Sequence, residues 1–103
     1  MSRIEKLKEL LQTSAEDSFL QHALALEYVK EGSDVDARSL FETILHREPT
    51  YAGSYYHLGK LLERLNENEL AVQWYEKGMS VCKQANDRHA YSELQGALDD
   101  ITD

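Results

Sequence analysis

The chain has little that would stop a helix and almost nothing that would cross-link one. Among 103 residues there is a single proline, Pro49, and the five glycines lie scattered. No Pro/Gly-rich linker therefore divides the chain, and its length suits one domain. The single cysteine, Cys82, has no partner for an internal disulfide. That excludes a disulfide scaffold and fits a reducing compartment. Positive charge is also scarce: 11 Lys and Arg stand against 19 Asp and Glu, for a formal charge of −8. Without a basic stripe, nucleic-acid binding is disfavoured, as is docking on anionic lipid. A basic or neutral partner would be steered in more readily, although an acidic surface also serves plain solubility. No apolar run reaches the roughly 20 residues that a membrane span needs. The opening MSRIEKLKELLQ is too charged for a signal peptide, and the expected location is the cytoplasm.

Period-two alternation is missing, so strands are not expected; apolar residues recur instead at three and four, the helical spacing. Six helices follow from the caps and stops. The first runs from about Arg3 to Gln12, opened by Ser2 and Glu5 in the form of a capping box. Ile4, Leu7, Leu10 and Leu11 make its apolar stripe. Ser14 with Asp17 signals a second helix reaching about Glu31, closed by Gly32 in a left-handed turn. Asp34 is placed to cap a third, which Pro49 stops. A fourth spans about Thr50 to Leu65, with Asn66, tolerant of positive φ, in the closing place. The fifth covers about Asn68 to Lys83, and the sixth runs from about Asp87 toward Ile101. Asp99, Asp100 and Asp103 crowd the last C-terminus, where the helix dipole disfavours negative charge and fraying is expected.

The helices repeat at a spacing of 34 residues. Leu24 returns as Leu58, Ala25 as Gly59, Gly32 as Asn66, Ala37 as Ala71, Phe41 as Tyr75 and Leu45 as Met79. Small residues replace small ones and aromatics replace aromatics, which implies stacked units that cannot bury their apolar faces alone. Tyr55-x-x-Leu58-Gly59-x-x-Leu62, then Asn66, Ala71, Tyr75 and Gly78, resembles the tetratricopeptide repeat. Leu24, Ala25, Tyr28, Gly32, Ala37, Phe41 and Pro49 match it one period earlier. The usual early tryptophan is Gln21 in one unit and Tyr55 in the other; Ile44 stands at a normally small position, and Lys83 at the closing proline.

The resemblance implies an all-α fold, antiparallel helix hairpins stacked as a short right-handed solenoid of about six helices. Its parts would be an N-terminal helix at 1–14, repeats at 15–49 and 50–84, and a capping helix with a tail at 85–103. A strict period puts Ser92 in the core position of Leu24 and Leu58; a two-residue slip puts Leu94 there, through a longer turn at Gln84–Asp87. The slip suits the core better.

The resemblance also implies a non-catalytic interaction module that binds a peptide or helix of another protein on its concave side. Carried over by position, that side includes Phe19, His22, Leu26 and Val29, then Gly53, Tyr56, His57, Lys60 and Arg64. Tyr56, Lys60 and Arg64 are the first candidates for contact, because a rigid ring beside two cations suits recognition. His22, His57 and Phe19 come second. The positions of the family's carboxylate-gripping subgroup hold other residues here, so binding of a chaperone tail is not implied. The alternative for the basic trio is a solvated helix face, paired with Glu63 and Glu67.

The second helix, with Phe19, Leu20, Ala23 to Leu26, Tyr28 and Val29, is apolar nearly all round. Three covers are open to it: the first helix packed where a preceding repeat would lie, the first helix folded across the groove, or a second copy of the chain. The last gives a second reading, a self-associating scaffold that dimerises through the apolar first repeat and the N-terminal helix, with Phe19, Leu26 and Val29 in the contact.

Chemistry leaves few traces. His22, His46, His57 and His89 lack zinc-motif spacing, and no cofactor is implied. Glu42 and His46, one turn apart, suggest a surface hydrogen bond rather than a metal pair. Cys82 reads as a buried structural thiol, and Trp74 as packing against the last helix. No phosphate loop, nucleophile elbow or paired-carboxylate constellation is legible, leaving an enzyme only as a dispersed site that no motif reveals.

Overall fold

The computed structural model describes residues 1–102. Six helices follow one another with short connections: α1 (Arg3–Thr13), α2 (Ser18–Glu31), α3 (Asp34–Arg47), α4 (Gly53–Arg64), α5 (Asn68–Ala85) and α6 (Arg88–Thr102). No strand occurs among the described residues. Asp103, part of the acidic end expected to fray, lies outside them.

Helices pack on their chain neighbours: α2 on α3, α4 on α5, and α6 on α5 with a smaller contact to α4. The result is an elongated helical-repeat solenoid, 43 × 29 × 19 Å. Ala25, Ala37, Phe41, Leu45, Tyr55, Leu58, Leu62, Ala71 and Tyr75 form its continuous core.

Capping chemistry sets the helix ends. Ser2 and Glu5 make the full capping box at α1. At α2 the cap is Asp17, whose side chain accepts from the Leu20 N–H at 3.0 Å, and not Ser14. Asp34 does not cap α3 either. It is the first helical residue, and its carboxylate is drawn to Arg64 instead. Asp87 caps α6 by accepting from the Ala90 N–H at 3.1 Å.

Three closing turns share one geometry. Gly32, Asn66 and Asn86 all have positive φ, at 78°, 64° and 59°. After each, the next N–H reaches back to a carbonyl five residues earlier: Ser33 to Tyr28 at 2.9 Å, Glu67 to Leu62 at 2.8 Å, and Asp87 to Cys82 at 2.9 Å. This is the Schellman closure.

The fourth helix starts at Gly53, later than Thr50, because residues 48–52 are taken up by the connection and its turns. The Tyr51 N–H bonds Glu48 O, that of Ser54 bonds Tyr51 O, and that of Tyr55 bonds Ala52 O. Pro49 makes this connection: it cannot continue α3, and it disfavours helical backbone at Glu48. One period on, Lys83 replaces it, and α5 runs on to Ala85. This longer helix, rather than a longer turn, shifts α6 so that Leu94 takes the core place of Leu24 and Leu58. Leu94 is 1% exposed, while Ser92 is exposed.

Helix α1 covers one side of α2. It packs on α2 and approaches no other helix, so it does not cross the groove. Its span coincides, 34 residues earlier, with the last eleven residues of α3. Leu7, its buried residue, stands where Phe41 and Tyr75 stand in α3 and α5. Arg3 to Glu27 at 3.3 Å, with Lys8 over the Tyr28 ring, fastens it down.

Gln21 and Tyr55, the two departures at the early aromatic position, do the same work. Gln21 Nε2 donates to Ala15 O at 3.0 Å, and Tyr55 Oη donates to Pro49 O, each six residues back. Both tie a helix to the loop that precedes it. Around Gln21 the tie extends into a network: Arg47 donates to Gln21 Oε1 at 2.9 Å and to Ser18 Oγ at 2.7 Å, and Ser18 donates to Glu48 at 2.8 Å.

Candidate functional site

Three helices, α2, α4 and α6, supply the face on which binding is expected. Leu24, Leu58 and Leu94 point into the core at matching places, and this register aligns the opposite face in rows. His22 matches Tyr56 and Ser92; Ala23 matches His57 and Glu93. Leu26 matches Lys60 and Gly96; Lys30 matches Arg64 and Asp100. The rows change character from one end to the other: largely apolar on α2 up to Lys30, aromatic and basic on α4, acidic on α6.

A hollow of about 570 Å³ opens at the α2 end. Phe19, His22, Ala23, Leu26 and His57 line it, and Arg3, Glu27 and Lys30 stand around it. Phe19 is 71% exposed, a large apolar cost left uncovered by α1. Leu26 and Val29, by contrast, are half-buried and pack against the core.

Beneath the hollow lies a cluster of rings. His22 and His57 are 5.4 Å apart between centroids, edge to face. His22 also meets Phe41 and Tyr51, each at 5.6 Å. His57 lies parallel to Phe41 at 6.3 Å and edge-on to Tyr56 at 5.4 Å. His22 Nδ1 and the fully buried Ser54 Oγ share a hydrogen bond of 2.8 Å. Burial, reinforced by His57, lowers the His22 pKa to about 4. Burial lowers His57 as well, with Glu93 acting in the opposite direction. Both rings are therefore neutral at pH 7, and the floor of the groove carries no charge.

The basic trio is largely occupied within the chain. Lys60 Nζ lies 3.7 Å from Glu63 and 5.9 Å from the centre of the Tyr56 ring. Glu63 also accepts from Tyr75 Oη; that bond and burial push the Tyr75 pKa upward, burial most. Arg64 pairs with Asp34 and donates to Val29 O at 3.3 Å, pinning α4 to the α2–α3 turn. Glu67, expected beside this trio, pairs with Arg38 instead. The half-buried Tyr56 and the half-exposed Lys60 are what α4 offers to a visitor.

Glu42 pairs with Arg38 at 3.5 Å and not with His46. No group of three or more His, Cys, Asp or Glu residues gathers as metal ligands among the described residues. Cys82 is buried, and its thiol pKa is raised by burial and then by Asp87. Trp74 does not turn toward α6. It tilts against Tyr55 at 6.0 Å, under Lys77 at 5.2 Å, beside Thr43 and His46 of α3. Its place on α5 faces the preceding hairpin, which single-helix periodicity does not reveal. No helix among the described residues is long and apolar enough to cross a membrane.

Hairpins that stack in register over a shared core define a helical-repeat protein of the interaction type. The chain belongs to the tetratricopeptide repeat family. The tetratricopeptide repeat domain protein of Salinibacter ruber is 39% identical in its crystal structure, over 82% of this chain and 94% of that one, with a TM-score of 0.79. Its solution structure gives 38% identity over 84% and 87%, with a TM-score of 0.81. A protein of Bordetella parapertussis shares the fold at a TM-score of 0.85 and 24% identity, over 98% of this chain and 88% of that one. No family model matches the chain, and no curated protein matches it.

Proposed function

We propose that the protein is a non-catalytic adaptor that holds a peptide or helix of another protein on the face formed by α2, α4 and α6. Its units are then an N-terminal helix at 1–14, repeats at 15–49 and 50–84, and a capping helix with a tail at 85–103, working in the cytoplasm. The observation that carries this is the hollow beside Phe19. A large apolar side chain is left exposed next to a neutral, ring-lined floor, and such patches on small proteins mark contact sites. Phe19, His22, Tyr56, His57 and Lys60 are the contacts we assign, with Arg64 at the edge as a strut that also offers its outer face.

The test is capture of partners from a lysate by the wild type and by a Tyr56→Ala/Lys60→Ala variant of equal helicity. Loss of a captured protein supports the assigned face; undiminished capture rejects it. The competing reading, dimerisation through Phe19, Leu26 and Val29, draws on the same exposed ring. It requires concentration-dependent assembly that Phe19→Asp abolishes, and a wild type monomeric at high concentration in light scattering removes it.

A further inference from the structure

The chemistry of the partner can be narrowed, on the premise that the face just described is the docking face. Three observations bear on it. First, the floor of the α2 end is apolar, Phe19, Ala23 and Leu26 over neutral imidazoles, with Arg3, Glu27 and Lys30 at its rim. Its nearby charges are spent on one another, since Glu27 binds both Arg3 at 3.3 Å and Lys30 at 3.2 Å. Second, the α4 cations are engaged by Glu63 and Asp34, so a carboxylate arriving there must compete with partners already in place. Third, the α6 end is anionic and unneutralised. Glu93 is exposed, close enough to His57 to act on it electrostatically, and in no ion pair among the described residues. Asp100 lies two turns further along the same side, likewise exposed and unpaired there. Between them is Gly96, where an added Cβ would meet nothing within 4 Å. Packing therefore does not require glycine at this place, and the space above it is open.

We propose that the groove takes a segment of a partner protein that is apolar at the end lying on α2 and carries Lys or Arg at the end lying on α6. An apolar anchor fills the Phe19 hollow; a long cationic side chain crosses the gap over Gly96 and reaches Glu93 and Asp100. A second copy of the chain fits poorly in this role, because each copy carries −8 and would bring like charge to the acidic end.

The probes are three synthetic fluorescent peptides. One carries leucines followed by terminal lysines, the second has glutamates for the lysines, and the third has alanines for the leucines. Anisotropy is read against the wild type, Phe19→Ser and Glu93→Gln/Asp100→Asn. The leucine–lysine peptide should bind best. The double neutralisation should weaken it about five-fold and flatten its salt dependence, in keeping with exposed charge pairs; Phe19→Ser should weaken it about ten-fold. Equal binding of the glutamate peptide, or no response to the double neutralisation, overturns the inference while leaving the docking face intact if Phe19→Ser still weakens binding. Indifference to Phe19→Ser in every peptide sinks the docking face itself. Sedimentation of the wild type as a dimer that excludes the peptides replaces the proposed partner with a second copy.

Discussion

Gly78 lies directly against Tyr55: a methyl group added to the glycine would stand 2.7 Å from the tyrosine Cβ and Cγ, and 2.9 Å from a methyl of Leu94. In an exposed helix interior, replacing glycine with alanine stabilises by about 1 kcal/mol. Here the sign reverses, because the Tyr55 atoms in the way are the root of a fully buried side chain, with no freedom to withdraw. Gly78→Ala should destabilise the protein by about 1–3 kcal/mol, read from the urea midpoint with Trp74 as the fluorescent reporter. A rise in the midpoint would show that α4, α5 and α6 are less tightly nested than they stand here.

Lys83→Pro tests why the last helix is displaced by two residues from the strict period. Proline at 83 would remove a helical hydrogen bond and crowd the carbonyl of Met79, at a cost of about 3 kcal/mol. The helical signal should fall, and Leu94 should lose its core place. An unchanged circular dichroism spectrum would mean that the extension of α5 to Ala85 does not depend on the missing proline.

Tyr55→Phe removes the bond to Pro49 O while keeping the ring. The expected loss is about 1 kcal/mol. Arg47→Met, which strips two donors from Ser18 and Gln21, should lose more, about 2 kcal/mol. Thermal melts of the two variants give the comparison, and equal losses would deny the network any weight beyond a single bond.

Acid should weaken the fold through His22. Its folded pKa of about 4 lies below the unfolded value of 6.5, so between these values the unfolded chain binds the extra proton. Stability is complete above pH 6.5 and declines as pH falls toward 4. With solvent screening at this half-buried ring taken into account, the decline amounts to about 1–2 kcal/mol; His57 adds to it in the same direction. His22→Gln, which keeps a polar group for Ser54, should show a smaller drop in urea midpoint between pH 7 and pH 4.5 than the wild type. Parallel drops would place the acid sensitivity elsewhere.

What the sequence made legible was whatever local chemistry or the repeat itself dictates. Leu24 with Leu58, the pairing of Gly32 with Asn66, the box at Ser2 and Glu5, and the slip to Leu94 all follow from caps, turns and spacing. What stayed hidden depends on contacts between helices. Asp34 has the right type and place for a cap, yet Arg64, 30 residues away, claims it. Glu67 goes to Arg38 for the same reason. Trp74 sits on a helix with neighbours on both sides, and nothing in α5 alone says which one it faces. The candidate site was legible as a face but not as an electrostatic surface: pairing of the cations and neutrality of the histidines are tertiary facts.

The three closing turns at Gly32, Asn66 and Asn86 are each completed by bonds within a few residues, and the helices they join are sequence neighbours. Little long-range loop closure stands between the unfolded chain and its first hairpin, so folding should be rapid, on the order of microseconds to milliseconds. Such a molecule has no single keystone. It can unzip from either extremity one hairpin at a time, and amide exchange should report a gradient of protection that peaks between α3 and α4 and declines toward both tips.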